Sequence, residues 1–137
     1  NNQLRVYFQQ DDPKAAELQR LVEEIRKWQV PLEGAMVSYV ASKRLYELLS
    51  DFAEEPERLS DFINLHQIMQ QLGELDVKLD LWKMQNLFFQ LAGSLYPGWQ
   101  ANANENDARA LEFIWFFRLL AGRLNISLER FEIPVEQ

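Results

Sequence analysis

The chain has 137 residues, enough for one domain with a buried core, and 47% of them are apolar, including nine Phe and four Trp. Its 14 Lys and Arg stand against 21 Asp and Glu, a formal charge of −7 that repels phosphate backbones and anionic lipid, so neither nucleic acid nor membrane is an expected partner. There is no cysteine, which excludes disulfides, thiolate nucleophiles and Cys-based zinc or iron–sulfur sites, and five Gly with five Pro are too few for a turn-rich β-sandwich.

No apolar run reaches the roughly 20 residues of a membrane span, and no basic-then-apolar leader opens the sequence, so the cytoplasm is the default expectation. The first residue is Asn1 rather than Met, which is read as the mark of a C-terminal piece of a longer protein.

The opening "NNQLRVYFQ" fits two periods. Leu4, Val6 and Phe8 alternate as in a strand, whereas Leu4, Tyr7 and Phe8 share a helical face, and so short a stretch does not decide between them. "DDPKAAELQRLVEEIRKW" is plainly helical, with Asp12 placed to cap, Pro13 in the first turn, and Leu18, Leu21, Val22, Ile25 and Trp28 in one stripe. "QVPLEG" ends it.

A second helix is expected from Ala35 to Phe52, carrying Met36, Val37, Val40, Leu45, Leu48 and Leu49 inward. "AEEPERLS" interrupts it, and a third begins at Pro56 and closes on Gly73 as a C-terminal glycine. "ELDVKL" alternates briefly without a strand partner and is read as a short extended connector, after which Asp80 caps a fourth helix over Leu81 to Leu95. "YPGWQANANENDAR" has the composition of a long polar loop. A fifth helix runs from Asp107 to Leu124, with Asn125 as its terminator, and the tail offers Ile126, Leu128, Phe131 and Ile133 for docking. The fold class is therefore all-α: a five-helix bundle or orthogonal helical array, forming a single domain over residues 1–137.

The fourth helix has an unusual face. Leu81, Met84, Phe88, Leu91 and Leu95 form its core stripe, with Ala92 at the edge and Lys83, Gln90 and Ser94 opposite. Trp82 and Phe89 sit a quarter-turn off that stripe, flanked by Gln85 and Asn86. Two readings stand side by side. The helix is central, and the amides bond to connector backbone, because buried amides must be satisfied. Alternatively, Trp82, Gln85, Asn86 and Phe89, extended by Tyr96 and Trp99, form a contact surface on which aromatic rings stack and amides fork onto hydroxyls. The fifth helix, "LEFIWFFRLLAGRL", is apolar nearly all round, interrupted by Arg118, which snorkels or pairs. Two helices needing cover on both sides exceed what so small a domain supplies, so some apolar surface is expected to face another domain or a second copy of the chain.

Catalytic signatures are missing. His66 is the only histidine and reads as packing or surface rather than catalysis. No triad, no H-E-x-x-H, no phosphate-cradling glycine loop and no metal-ligand cluster occurs, so no catalytic residue, metal or cofactor is assigned.

Across "NNQLR", "DPKAAELQRLVEEIRKWQVPL", "ASKRLYELL", "ELDVKLDLWKMQN" and "LAGRLNISLE", the chain resembles the C-terminal helical domain of family 57 glycoside hydrolase-like, α-amylase-related proteins. The Leu81-Trp82 and Gln85-Asn86 arrangement carries most of the likeness. The resemblance implies an accessory domain packed on a catalytic barrel of the parent chain, helping to shape an α-glucan site. It also implies a parent acting by a retaining carboxylate mechanism whose catalytic positions do not map here. The other reading is a helical interaction or self-association module with no carbohydrate role.

Overall fold

The computed structural model describes residues 1–132. Among them are six α-helices and no strand: α1 (Asn2–Phe8), α2 (Ala15–Trp28), α3 (Gly34–Glu54), α4 (Leu59–Glu74), α5 (Trp82–Asn104) and α6 (Ala108–Arg123), followed by a 3-10 turn at Glu129–Phe131. The all-α class holds. The additional helix is α1, the segment whose period was undecided. Leu4, Tyr7 and Phe8 are buried and Val6 is exposed, so the helical spacing prevails over the alternation.

The chain divides into two compact units, one spanning Asn1–Leu81 and one beginning at Trp82. In the first, α2 packs on α4, α3 on both α1 and α4, and α1 on α2. The core forms where their stripes meet: Leu4 and Phe8 from α1, Leu18 and Val22 from α2, Val37, Leu45 and Leu49 from α3, and Phe62, Leu65, Ile68 and Leu72 from α4. Phe52 and Phe62 stack at 4.6 Å between α3 and α4. Each fully buried Leu or Phe contributes roughly 1.5–3 kcal/mol relative to exposure, which outweighs any single cap or surface ion pair.

Polar clamps set the ends of these helices, and they differ from the expected local caps. Asp12 does not cap α2. The helix starts at Ala15, whose N–H is accepted by Asn64 Oδ1 of α4 at 2.8 Å, while Asn64 Nδ2 donates to the Pro13 carbonyl at 2.8 Å. Asn1 repeats the device before α3, donating to Pro31 O at 3.0 Å and accepting from Glu33 N at 3.1 Å. α4 begins at Leu59 rather than Pro56, because Pro56 and Glu57 form a turn first. Gly73 lies inside α4, and the left-handed residue after it is Asp76, at φ 56°. The connector 77–81 has no regular structure, as expected, and is tied to α3 by a bond from Ser38 Oγ to Lys78 O and one from Asp80 N to Ser42 Oγ.

In the second unit α5 packs along α6. The expected loop at 96–109 is largely helix: α5 continues through Pro97 to Asn104. Proline removes the N–H that would bond the Gly93 carbonyl and crowds that turn, normally a cost of about 3 kcal/mol. Aromatic packing on both sides of Pro97 offsets it. Tyr96 is fully buried and lies 5.6 Å from Phe117, and Trp99 stacks on Phe113 at 4.7 Å with ring planes 9° apart. The α5 stripe of Met84, Phe88, Leu91 and Ala92 is buried, with Phe88 stacked on Phe117 at 4.2 Å.

α6 opens on the expected Asp107, whose carboxylate accepts from Arg109 N and Ala110 N at 3.0 and 3.3 Å. It closes on Asn125, at φ 58°. There Ile126 N reaches Ala121 O at 2.9 Å and Asn125 N reaches Gly122 O at 3.3 Å, the two-bond pattern that satisfies a helix C-terminus. Of the tail residues, Leu128 is buried and Phe131 half-buried; Ile133 lies outside the described residues.

Candidate contact surface

At 100° per residue Trp82, Asn86, Phe89 and Gly93 fall within an arc of about 60° on α5, and seven residues of helix separate Trp82 from Phe89 by about 10 Å. Trp82 is 68% exposed and Phe89 42%, with Asn86 exposed beside them. The strip is lined at one end by the 3-10 turn: Phe131 meets Phe89 edge-on at 5.1 Å, and the Arg130 guanidinium stands 5.4 Å over the Phe89 ring. A Cβ at Gly93 would lie 3.6 Å from Phe131. That is an ordinary van der Waals contact, so the packing of Phe131 on α5 does not depend on a glycine at this position.

The six candidate residues do not converge on one surface. Gln85 turns to the side and donates from Nε2 to the Leu124 carbonyl at 2.8 Å, filling an acceptor at the end of α6. Tyr96 is enclosed, its hydroxyl accepting from Arg118 Nε at 2.9 Å. Trp99 is half-buried on Phe113. So the two readings of this helix divide between residues. Gln85, Tyr96 and Trp99 serve packing, while Trp82, Asn86 and Phe89 share the outward face. Arg118 pairs rather than floating free, holding Tyr96 and approaching Glu132 at 3.9 Å.

A second apolar strip runs along α6, the helix whose all-round apolarity led to the expectation of surface facing a companion. Leu111, Trp115 and Leu119 are 53%, 63% and 38% exposed, and their i, i+4, i+8 spacing stacks them on one face. The signal was present in that spacing, but the apolar residues on every side of the helix masked it. The buried set, Phe113, Ile114, Phe117, Leu120 and Ala121, occupies the opposite face.

Two of the cavities in the first unit are lined by charged side chains. One, of about 380 Å³, is lined by Asp11, Asp12, Asp51, Glu54, Glu55 and Asp61 together with Arg58, which pairs with Glu55 at 2.7 Å. All six of these acids are solvent-exposed. The other, of about 400 Å³, lies between the end of α1 and α3. Among the described residues no group of three or more His, Asp or Glu is placed to hold a metal, and no helix is long and apolar enough to cross a membrane. His66 is buried in α4.

Set against known proteins, the chain matches no family model, no curated protein and no solved structure.

Proposed function

We propose that this chain is a non-catalytic helical accessory domain that works by laying exposed apolar helix faces against a companion domain. The observation that carries this reading is the α6 strip Leu111, Trp115 and Leu119, three large apolar side chains stacked on one helix face with more than a third of each in solvent. Scattered exposed leucines are ordinary; a row of this kind, with an indole at its centre, has the composition of an interface core. The resemblance to family 57 glycoside hydrolase-like C-terminal domains supplies the partner: the catalytic barrel of the parent chain. Under that reading the α5 strip of Trp82, Asn86 and Phe89 is the part that borders an α-glucan, indole and phenyl faces stacking on sugar C–H surfaces beside an amide donor.

Leu111→Asp and Trp115→Ala test the docking role. Both positions are exposed, so each variant of the isolated chain should keep its stability to within about 0.5–1 kcal/mol, whereas the parent protein should lose assembly or activity. Equal behaviour of variant and unaltered parent would remove the proposal. Titration of the folded chain with maltoheptaose tests the glucan element. Tryptophan quenching or amide shifts at Trp82, Asn86 and Phe89 support it, and silence at all three limits the domain to protein contact.

A further inference from the structure

We infer that the 400 Å³ cavity between the end of α1 and α3 is a site for a small zwitterion with an apolar side chain, a free amino acid or a short peptide. The volume falls within the range of small-ligand sites. Phe8 and Val40 provide apolar wall, and Tyr39 stands largely exposed beside them.

The cavity is held open by one residue. Arg44 of α3 donates from Nη2 to the carbonyls of Gln10 and Asp11, at 2.8 and 2.7 Å, so the chain leaving α1 is fixed to α3. Its charge is answered by Glu47 at 2.8 Å. The two Nη atoms of Arg44 are thus spent on structure, while its buried Nε has no partner, and the residue ties the wall that carries Asp11 to the wall that carries its own neighbour, Lys43.

Those two are the charged side chains of the lining that no ion pair engages. Asp11 and Lys43 line the same cavity with opposite charge, yet among the described residues they pair neither with each other nor with any third group. Opposite charges on the two walls of a hollow that also has apolar lining complement a molecule bearing an ammonium, a carboxylate and a greasy side chain. The ammonium faces Asp11, the carboxylate faces Lys43, and the side chain lies against Phe8, Val40 and Tyr39. Because Arg44 ties the backbone of the two walls together beforehand, the ordering left to occur on binding is that of the side chains.

The test is an amide NMR titration of the 137-residue chain at pH 7 with phenylalanine, its Nα-acetyl and carboxamide derivatives, the doubly blocked form, and the dipeptide phenylalanyl-alanine. Saturable shifts are expected at Gln9, Tyr39 and Lys43, with each single block weakening binding about tenfold. Asp11→Asn should abolish the penalty of acetylation, and Lys43→Gln that of amidation. Both positions are exposed, and the dispersed spectrum itself reports that each variant is folded. Tighter binding of the dipeptide assigns the site to peptides, and tighter binding of phenylalanine to free amino acids. Absence of saturable shifts, or equal affinity for the doubly blocked form, overturns the inference.

Discussion

Asn64 holds Ala15 from 49 residues away: its side-chain oxygen accepts the Ala15 N–H at 2.8 Å while its nitrogen donates to Pro13 O at 2.8 Å. One amide thus satisfies both a free donor at the start of α2 and the carbonyl two residues earlier. Asn64→Ala should lower stability by about 1–3 kcal/mol in urea titration, because two partly buried backbone groups lose their partner together. Asn64→Asp should not rescue it, since a carboxylate keeps the acceptor but places charge against the Pro13 carbonyl. Asp12→Ala, at the cap position the sequence suggests, should change stability by no more than about 0.5 kcal/mol.

The end of α4 makes two predictions of the same sign. Gly73 is helical with open space where a Cβ would stand, whereas Asp76 carries the positive φ. Gly73→Ala should therefore stabilise by about 0.5–1 kcal/mol, and Asp76→Gly should also stabilise, by relieving a left-handed conformation that costs an L-residue about 1–2 kcal/mol. Were Gly73 the terminating residue, its alanine variant would destabilise. Thermal or urea unfolding of the two single variants distinguishes these outcomes.

Pro97 offers a third test. In a helix, Pro97→Ala restores the bond to Gly93 O and relieves crowding, so stability should rise by about 1–3 kcal/mol. In a loop, the same change would only loosen the unfolded chain and lower stability slightly. Calorimetry gives the sign.

Tyr7 sets an alkaline limit. Burial, with the Glu17 carboxylate adding to it, pushes the Tyr7 phenol well above its ordinary value of 10.0, and its hydroxyl donates to Lys14 O at 2.7 Å. Since the folded-state value is the higher one, the folded chain retains a proton that the unfolded chain releases above about pH 10. Stability from this group is complete below that pH and falls as pH rises beyond it. Tyr7→Phe should cost about 1 kcal/mol at neutral pH through the lost hydrogen bond, and should flatten the decline above pH 10 in urea midpoints.

What the sequence revealed follows the range of the interactions involved. α2, α3, α4 and α6 were legible because each carries a stripe repeated over three or more turns, and Asp107 and Asn125 were legible because their partners lie within the next or preceding turn. The start of α2 was not, because its cap comes from Asn64 in another helix. The C-terminal half of α5 was misread because Pro97, Gly98 and the asparagines are locally non-helical, and the packing of Tyr96 and Trp99 on Phe113 and Phe117 overrides them. The candidate surface divided for the same reason. Nothing near Gln85 in sequence foretells its bond to Leu124 O, 39 residues on, whereas the outward direction of Trp82 and Phe89 follows from the helical period alone.

The most direct test of the docking role is hydroxyl-radical footprinting with residue-level mass spectrometry, applied to the chain alone and to the longer parent protein proposed above. In the isolated chain Trp82, Leu111, Trp115 and Leu119 should label readily while Tyr96 stays protected. In the parent, Leu111, Trp115 and Leu119 should become several-fold less reactive as a companion surface covers α6. Unchanged labelling of all three would show that nothing packs there, and would contradict the account.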